Sequence, residues 1–136
     1  MAINPIDTRY GTPEMRAVWT EEHRFHCILR AEAALAQAEA ACGLIPARDA
    51  KAIARGAGRA SLARAKEIEA EIHHDMMAVA RALSEVSGDA GRWVHFGATS
   101  NDILDTATGL QLRESRALLE EKLLRLLSVL LRLAEG

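Results

Sequence analysis

Three short polar clusters in the sequence combine side chains that can bind anions or move protons. The first is Arg9-Tyr10, where a guanidinium stands beside a phenol. The guanidinium offers a planar fork of charged donors and the phenol adds a hydroxyl, which suits a phosphate or a carboxylate. A surface arginine beside a tyrosine that covers a packing seam would explain the same two residues, so both interpretations stay open.

The second cluster is His73-His74-Asp75. Imidazoles can donate, accept or titrate near neutral pH, and an aspartate can fix the tautomer of a neighbouring ring. We expect no metal here, because consecutive side chains diverge and no histidine follows four positions on to complete a helical pair. The structural alternative makes Asp75 the N-cap of the next helix, with two partly exposed imidazoles beside it.

The third cluster runs from Gly97 to Asp102 and leads directly into the last helical segment. Thr99-x-x-Asp102 fits a capping box, with aspartate in place of the usual glutamate. Hydroxyls and free backbone N–H groups at a helix start also make an anion site. A cap needs one hydroxyl and Ser100 supplies a second, so the cluster favours ligand binding. Together, the three clusters predict a small polyanionic ligand.

Composition and missing motifs exclude several classes of function. With 17 basic and 19 acidic residues the net charge is -2, without the basic excess of a nucleic-acid binder. No stretch reaches the roughly 18 apolar residues of a membrane span, and no signal-peptide core is present. Cys27 and Cys42 are too far apart for a C-x-x-C pair, and we expect both to be buried and reduced, as in a cytoplasmic protein. The sequence also lacks glycine-rich phosphate loops and the G-x-S-x-G nucleophile turn.

The segments that position these clusters predict an all-α fold. Alanine, leucine, glutamate and arginine dominate the composition, whereas β-branched and aromatic residues are scarce. The expected elements are an extended arm over 1–12, helix starts at Thr12-Pro13 and Thr20, a helix ending at Gly43, a short helix over 47–55, a glycine break over 56–58, helices over 61–71 and 76–87, an irregular stretch over 88–98 and a final helix from Asn101.

The helix that begins at Thr20 has one apolar face, and one polar residue, Glu32, interrupts it. The apolar residues on that face are Phe25, Ile28, Leu29, Leu35, Ala36 and Ala40. This pattern predicts an amphipathic helix at the centre of the domain.

The final segment predicts a long helix that needs partners. It runs without proline for some 35 residues, which corresponds to about 50 Å. Within residues 123–133 the only polar side chains, Arg125, Ser128 and Arg132, form one narrow stripe, and leucine and valine fill the remaining circumference. We therefore expect a small N-terminal helical domain over residues 1–98, followed over 99–136 by the truncated start of a central long-helix bundle that several subunits share.

Taken in order along the chain, these clusters and their neighbours resemble the N-terminal part of the adenylosuccinate lyases, in the fumarase/aspartase superfamily, and are most similar to the archaeal type. The resemblance is carried by Arg9-Tyr10-Gly11, Pro13-Glu14-Met15, Trp19-Thr20-Glu21-Glu22, Arg24-Phe25, Glu67-Ile68-Glu69, His74-Asp75, the block from Trp93 to Asp102, and Asp105-Thr106. Each short piece alone is weak. The collinear set, which ends in His-x-Gly-x-Thr-Ser-x-Asp, is specific.

The resemblance implies a β-elimination in purine biosynthesis that releases fumarate from adenylosuccinate and leaves AMP. The same type of enzyme typically cleaves the succinyl-aminoimidazole-carboxamide ribotide as well. The resemblance also implies a nucleotide substrate, no metal or organic cofactor, and a homotetramer when full length. Each active site of such a tetramer is built from three subunits.

By position, the resemblance implies that Arg9 and Tyr10 hold the substrate at its phosphate. It implies that His74 positions the substrate and supports proton transfer. Asp75 belongs to the same substrate-contacting motif as His74, and His73, the preceding residue, is expected to contact the substrate without a chemical step.

Thr99 and Ser100 are expected, on the same resemblance, to bind the carboxylates of the fumaryl part. The family's general acid lies in a Thr-His-Gly-like motif and its general base is a serine on a glycine-serine loop, and neither motif occurs before Gly136. Because elimination needs both an acid and a base, we expect the 136 residues alone to have no lyase activity.

Two other interpretations remain. Within the superfamily, a 3-carboxy-cis,cis-muconate cycloisomerase has a block similar to residues 97–105, although its middle loop usually differs from residues 73–75. Outside it, a non-catalytic helical assembly module needs only the amphipathic helices and the leucine-rich end, and leaves the three polar clusters unexplained.

Overall fold

The computed structural model describes residues 9–136, and within them every regular element is a helix. The α-helices are α1 (Pro13–Val18), α2 (Glu21–Ala41), α3 (Ala47–Ala57), α4 (Leu62–Ile72), α5 (Asp75–Ser87) and α6 (Ser100–Glu135), with a 3-10 helix (Gly88–Trp93) after α5. This confirms the predicted all-α class. The first eight residues of the predicted extended arm lie outside the described residues. None of the described helices is long and apolar enough to cross a membrane.

The first two helices begin at the threonines that the sequence predicts as N-caps, Thr12 and Thr20. Thr12 Oγ1 accepts a hydrogen bond from the Met15 N–H at 3.4 Å, ahead of Pro13 in the first turn. Thr20 Oγ1 accepts from the His23 N–H at 3.2 Å. These bonds satisfy donors that the first helical turn leaves without a partner.

Two glycine-containing segments and one cysteine differ from expectation. α3 continues through Gly56, where an added Cβ would lie 2.5 Å from Ser87 Oγ, so this glycine permits close packing on α5 and does not break the helix. The stretch after Ser87 forms a 3-10 helix in place of irregular chain, and Ser84 Oγ donates to the carbonyl of Gly91 at 2.9 Å. Cys42 is exposed at the C-cap of α2, whereas Cys27 is buried as expected; both are free thiols.

The core lies between α2 and the helices that surround it. α2 packs on α3, α5 and α6, and α5 packs on α3, α4 and the 3-10 helix. The largest fully buried apolar side chains are Leu29, Ile53, Ile68, Met76 and Leu83. The breaks between helices, which carry the polar clusters, therefore lie at the margins of this core.

The long helix α6 divides into a packed half and an exposed half. Gln111 Nε2 donates to the Val18 carbonyl at 2.7 Å, and Trp19 Nε1 donates to Ser115 Oγ at 3.0 Å, which ties the packed half to the end of α1. Every residue from Leu119 onwards is exposed. The apolar surface that the sequence predicts therefore has no cover within the described part of the chain.

Gly91→Ala is expected to lower the free energy of unfolding by about 1–3 kcal/mol, the usual cost of overpacking. The added Cβ would lie 2.6 Å from the backbone oxygen of Ser84, which cannot rotate away. Chemical denaturation followed by circular dichroism measures the change. The control is Gly109→Ala in α6, whose Cβ would meet nothing within 4 Å. It should gain up to about 1 kcal/mol of helix propensity. Equal stability of the two variants would contradict the close approach at Gly91.

Candidate functional site

The break between α4 and α5 is formed by the two adjacent histidines. His73 ends α4 in the left-handed region (φ 55°), and His74 is extended and caps α5, accepting from the Met77 N–H on Nδ1 at 3.3 Å. The prediction that Asp75 is the N-cap is therefore wrong. Asp75 lies in the first turn, where its carboxylate accepts from the Met76 N–H at 2.7 Å. Because Nδ1 of His74 is an acceptor, the neutral ring carries its proton on Nε2.

The side chains at this break are exposed to solvent, and a cleft with charged lining residues adjoins it. The His74 and Asp75 side chains are 50% and 69% exposed. Asp75 also borders a cleft of about 200 Å³ between α2, α4, α5 and α6, whose other charged lining residues are Glu21, Arg24, Lys66 and Glu69. Lys66 forms an ion pair with Glu21. The exposed His74 ring can donate a hydrogen bond from Nε2 to a ligand, and the adjoining cleft carries charges of both signs.

The start of α6 is the second part of the candidate site. Thr99 is the N-cap, and the Asp102 carboxylate accepts from the Thr99 N–H at 2.9 Å, which confirms a capping interaction between these two residues. Thr99 is exposed and Ser100 half-buried. The Ser100 hydroxyl forms no hydrogen bond within residues 9–136, so it can serve a ligand at the positive end of this helix.

A buried hydrogen bond between a carboxylate and a histidine, in the segment that leads into α6, was missed by sequence reasoning. Glu32 on α2 is 1% exposed, and its Oε1 lies 2.6 Å from Nδ1 of His95. Its Oε2 accepts from the backbone N–H of His95 at 3.1 Å. Glu32 was visible as the one polar interruption of an apolar face, and that interruption was the available signal.

The loop has a second anchor and a second buried carboxyl. Trp93 Nε1 donates to Asp49 Oδ2 at 3.0 Å, which fixes the end of the 3-10 helix to α3.

Glu39 of α2 is buried, and its Oε2 has no hydrogen-bond partner among the described residues. Burial raises the pKa of the Glu39 carboxyl above its ordinary value, and the nearby charge of Glu32 raises it further.

Arg9 and Tyr10, the remaining predicted pair, are both exposed at the beginning of the described chain, Tyr10 by 61%. Across residues 9–136, no hydrogen bond or ion pair joins any two of the three predicted clusters. The structure thus places each cluster at a helix terminus or in a loop, and the clusters over 73–75 and 97–102 form their polar contacts separately.

His23, Cys27 and Glu114 are the residues of the described chain best arranged to hold a metal, with ligand atoms within 4.8 Å of one another. Glu114 is already bonded to His23 Nε2 at 2.6 Å and to Arg30 Nη1 at 3.2 Å. Burial raises the pKa of the Cys27 thiol, and the charge of Glu114 adds to the effect. A metal ligand must be the thiolate, so we interpret this group as an ion-pair network that joins α2 to α6.

Comparison with known proteins adds to this geometry. A family model described as lyase matches residues 8–136. The chain is 54% identical to adenylosuccinate lyase of Pyrococcus abyssi over 137 residues, which cover 99% of this chain and 30% of that relative. It is 52% identical to adenylosuccinate lyase of Methanocaldococcus jannaschii over 99% of this chain and 30% of that relative. The adenylosuccinate lyase of Bacillus subtilis is 38% identical over 90% of this chain and 28% of its own length.

Solved structures show the same fold. A 3-carboxy-cis,cis-muconate lactonizing enzyme from Pseudomonas putida superposes with a TM-score of 0.76 at 35% identity, over 87% of this chain and 28% of that one. A fumarate lyase from Mesorhizobium sp. BNC1 gives a TM-score of 0.73 at 31% identity, over 82% of this chain and 28% of that one. The chain spans about 30% of the length of the first of these curated relatives.

Proposed function

The chain belongs to the lyase family whose model matches residues 8–136, and on that premise we propose that it forms the N-terminal part of an adenylosuccinate lyase. One observation carries the proposal. Five archaeal relatives named adenylosuccinate lyase are 51–54% identical over 96–99% of this chain. The proposed enzyme eliminates fumarate from adenylosuccinate to leave AMP. It also cleaves the succinyl-aminoimidazole-carboxamide ribotide, in purine biosynthesis in the cytoplasm.

In this proposal the break between α4 and α5 orients the substrate for elimination. His74 donates from Nε2, since its Nδ1 is occupied by the Met77 N–H. His74 thereby positions the substrate and supports proton transfer, while His73 and Asp75 contact the substrate beside it. The family's general acid and general base come from chain segments other than these 136 residues.

Thr99 and Ser100 bind the carboxylates of the fumaryl part. Support comes from their place at the N-terminus of a 36-residue helix, where the backbone N–H groups and the helix dipole favour negative charge. Arg9 and Tyr10 hold the phosphate, and their exposure leaves both side chains accessible to a ligand.

The proposed enzyme is a homotetramer whose α6 helices form a shared bundle. Two features support this assembly. Within residues 9–136 no hydrogen bond or ion pair joins the three clusters, which suits a site built from several subunits. The second half of α6 also exposes leucines such as Leu123 (64%) and Leu130 (54%), a surface that an isolated helix does not normally present.

A cycloisomerase acting on 3-carboxy-cis,cis-muconate is the second candidate, because a lactonizing enzyme with that substrate in its name shares the fold at 35% identity. The five archaeal adenylosuccinate lyases are more similar, at 51–54%, which favours the first proposal.

The test is to assay the product of the complete gene with both substrates. We expect fumarate release from adenylosuccinate and no turnover of the muconate. Conversion of the muconate alone would contradict the proposal. The purified 136-residue chain is the control and should release no fumarate, because elimination needs an acid and a base. Fumarate release by this chain would show that the proton-transfer groups lie within it.

A further inference from the structure

We propose that Glu32 is a positioning residue for the anion site at the start of α6, and that it acts through His95. The two carboxylate oxygens of Glu32 hold one residue in two ways, at the backbone N–H (3.1 Å) and at ring Nδ1 (2.6 Å). The expected effect of Glu32 on lyase kinetics rests on the proposed function. Its expected effect on the tautomer of the His95 ring does not.

Burial makes a packing role for Glu32 a poor explanation. A carboxylate inside an apolar face destabilises the fold unless its charge is partnered and its oxygens accept hydrogen bonds. An aliphatic side chain at this position would pack α2 at least as well. Both carboxylate oxygens of Glu32 instead contact His95, in the loop between the 3-10 helix and α6. We therefore assign Glu32 to holding the conformation of that loop.

The backbone of the loop needs such control. His95 has a φ of 63°, in the left-handed region that side chains other than glycine rarely adopt, and Gly97 follows with a φ of 68°. The bond from the His95 N–H to Glu32 holds this conformation. Thr99, the N-cap of α6, follows Gly97 by only two residues. The direction in which the chain enters α6 therefore depends on the backbone conformation of His95 and Gly97.

The ring of His95 is controlled by the same carboxylate. Because the oxygens of an ionised carboxylate only accept hydrogen bonds, the 2.6 Å contact with Glu32 places a proton on Nδ1 of His95. Nε2 forms no hydrogen bond within the described part of the chain. This contact therefore leaves Nε2 as the acceptor of the neutral His95 ring.

The matched control is Glu39. It lies on the same helix, two turns after Glu32, and is likewise buried (7% exposed). Among the described residues its Oε2 has no hydrogen-bond partner, and its Oε1 lies 3.6 Å from where a Cβ on Gly97 would stand, without a bond to His95. Glu32→Gln and Glu39→Gln both replace a buried carboxyl oxygen of α2 by an amide, but only Glu32 is bonded to His95, so only Glu32→Gln is expected to alter that ring.

The experiment compares wild type, Glu32→Gln, Glu32→Asp and Glu39→Gln in the full-length protein. Glutamine at 32 can still accept from the backbone but donates its amide to Nδ1, which moves the ring proton to Nε2. NMR of ¹⁵N-histidine-labelled protein, assigned by difference against His95→Gln, reports which nitrogen is protonated. We expect the proton on Nδ1 in wild type and Glu39→Gln, and on Nε2 in Glu32→Gln.

In the lyase assay, Glu32→Gln should lower kcat/KM about 10-fold or more, as loss of a ligand-orienting partner typically does. Glu32→Asp should restore part of it, and Glu39→Gln should match wild type, with similar melting temperatures throughout. An unchanged tautomer in Glu32→Gln, or kinetics equal to those of Glu39→Gln, would overturn the inference. A wild-type protein with no lyase activity would overturn the proposed function, and the tautomer would still decide the role of Glu32.

Discussion

His74→Asn is expected to lower kcat of the full-length enzyme about 100-fold, within the usual range for a residue that assists proton transfer. The melting temperature should stay close to that of wild type. The physical reason is that His74 has two separable tasks. Its Nδ1 caps α5 through the Met77 N–H, and asparagine is among the best N-cap residues. Asparagine thus replaces the cap while removing the imidazole.

Two further variants separate the cap from the chemistry. His74→Ala removes both, so it should show the same loss of kcat and an additional loss of about 1 kcal/mol in the free energy of unfolding. His73→Asn keeps the left-handed backbone that asparagine tolerates, and should raise KM more than it lowers kcat. Steady-state kinetics with adenylosuccinate and thermal unfolding measure these effects. A kcat for His74→Asn within twofold of wild type would refute the role proposed for this ring.

Leu130→Glu is expected to dissociate the full-length assembly and abolish its activity. The side chain is 54% exposed in one chain and lies on the helical face opposite the stripe of Arg125, Ser128 and Arg132. A leucine buried between helices contributes about 1.5–3 kcal/mol, which the substitution loses. A carboxylate buried there without a partner costs several kcal/mol more. In a symmetric assembly the change is present in every subunit.

Ser128→Glu is the control for this variant. It adds the same charge two residues away, on the polar stripe, and glutamate favours helix at both positions. Light scattering after size exclusion should show wild type and Ser128→Glu as tetramers and Leu130→Glu as a smaller species. A tetrameric Leu130→Glu protein would contradict burial of this face in the assembly.

Local sequence chemistry determined much of the fold. Thr12 and Thr20 cap α1 and α2 as predicted, because a hydroxyl cap depends on residues only three positions apart. The long proline-free run likewise predicted α6, with its uncovered leucines. The same local rules placed the cap of α5 on Asp75, one residue late, since they did not anticipate a histidine ring as the acceptor.

Gly56 and Glu32 show what only the tertiary structure decided. Gly56 breaks no helix because Ser87 of a different helix packs against it. In the sequence, Glu32 is only a polar residue that interrupts an apolar helix face. The fold brings it into contact with His95, 63 residues away, and gives it a partner. Helix periods and caps come from interactions within a few residues, so they can be read from a single sequence. Partners across the core depend on which faces meet, and that is settled only when burial of apolar surface packs the helices together.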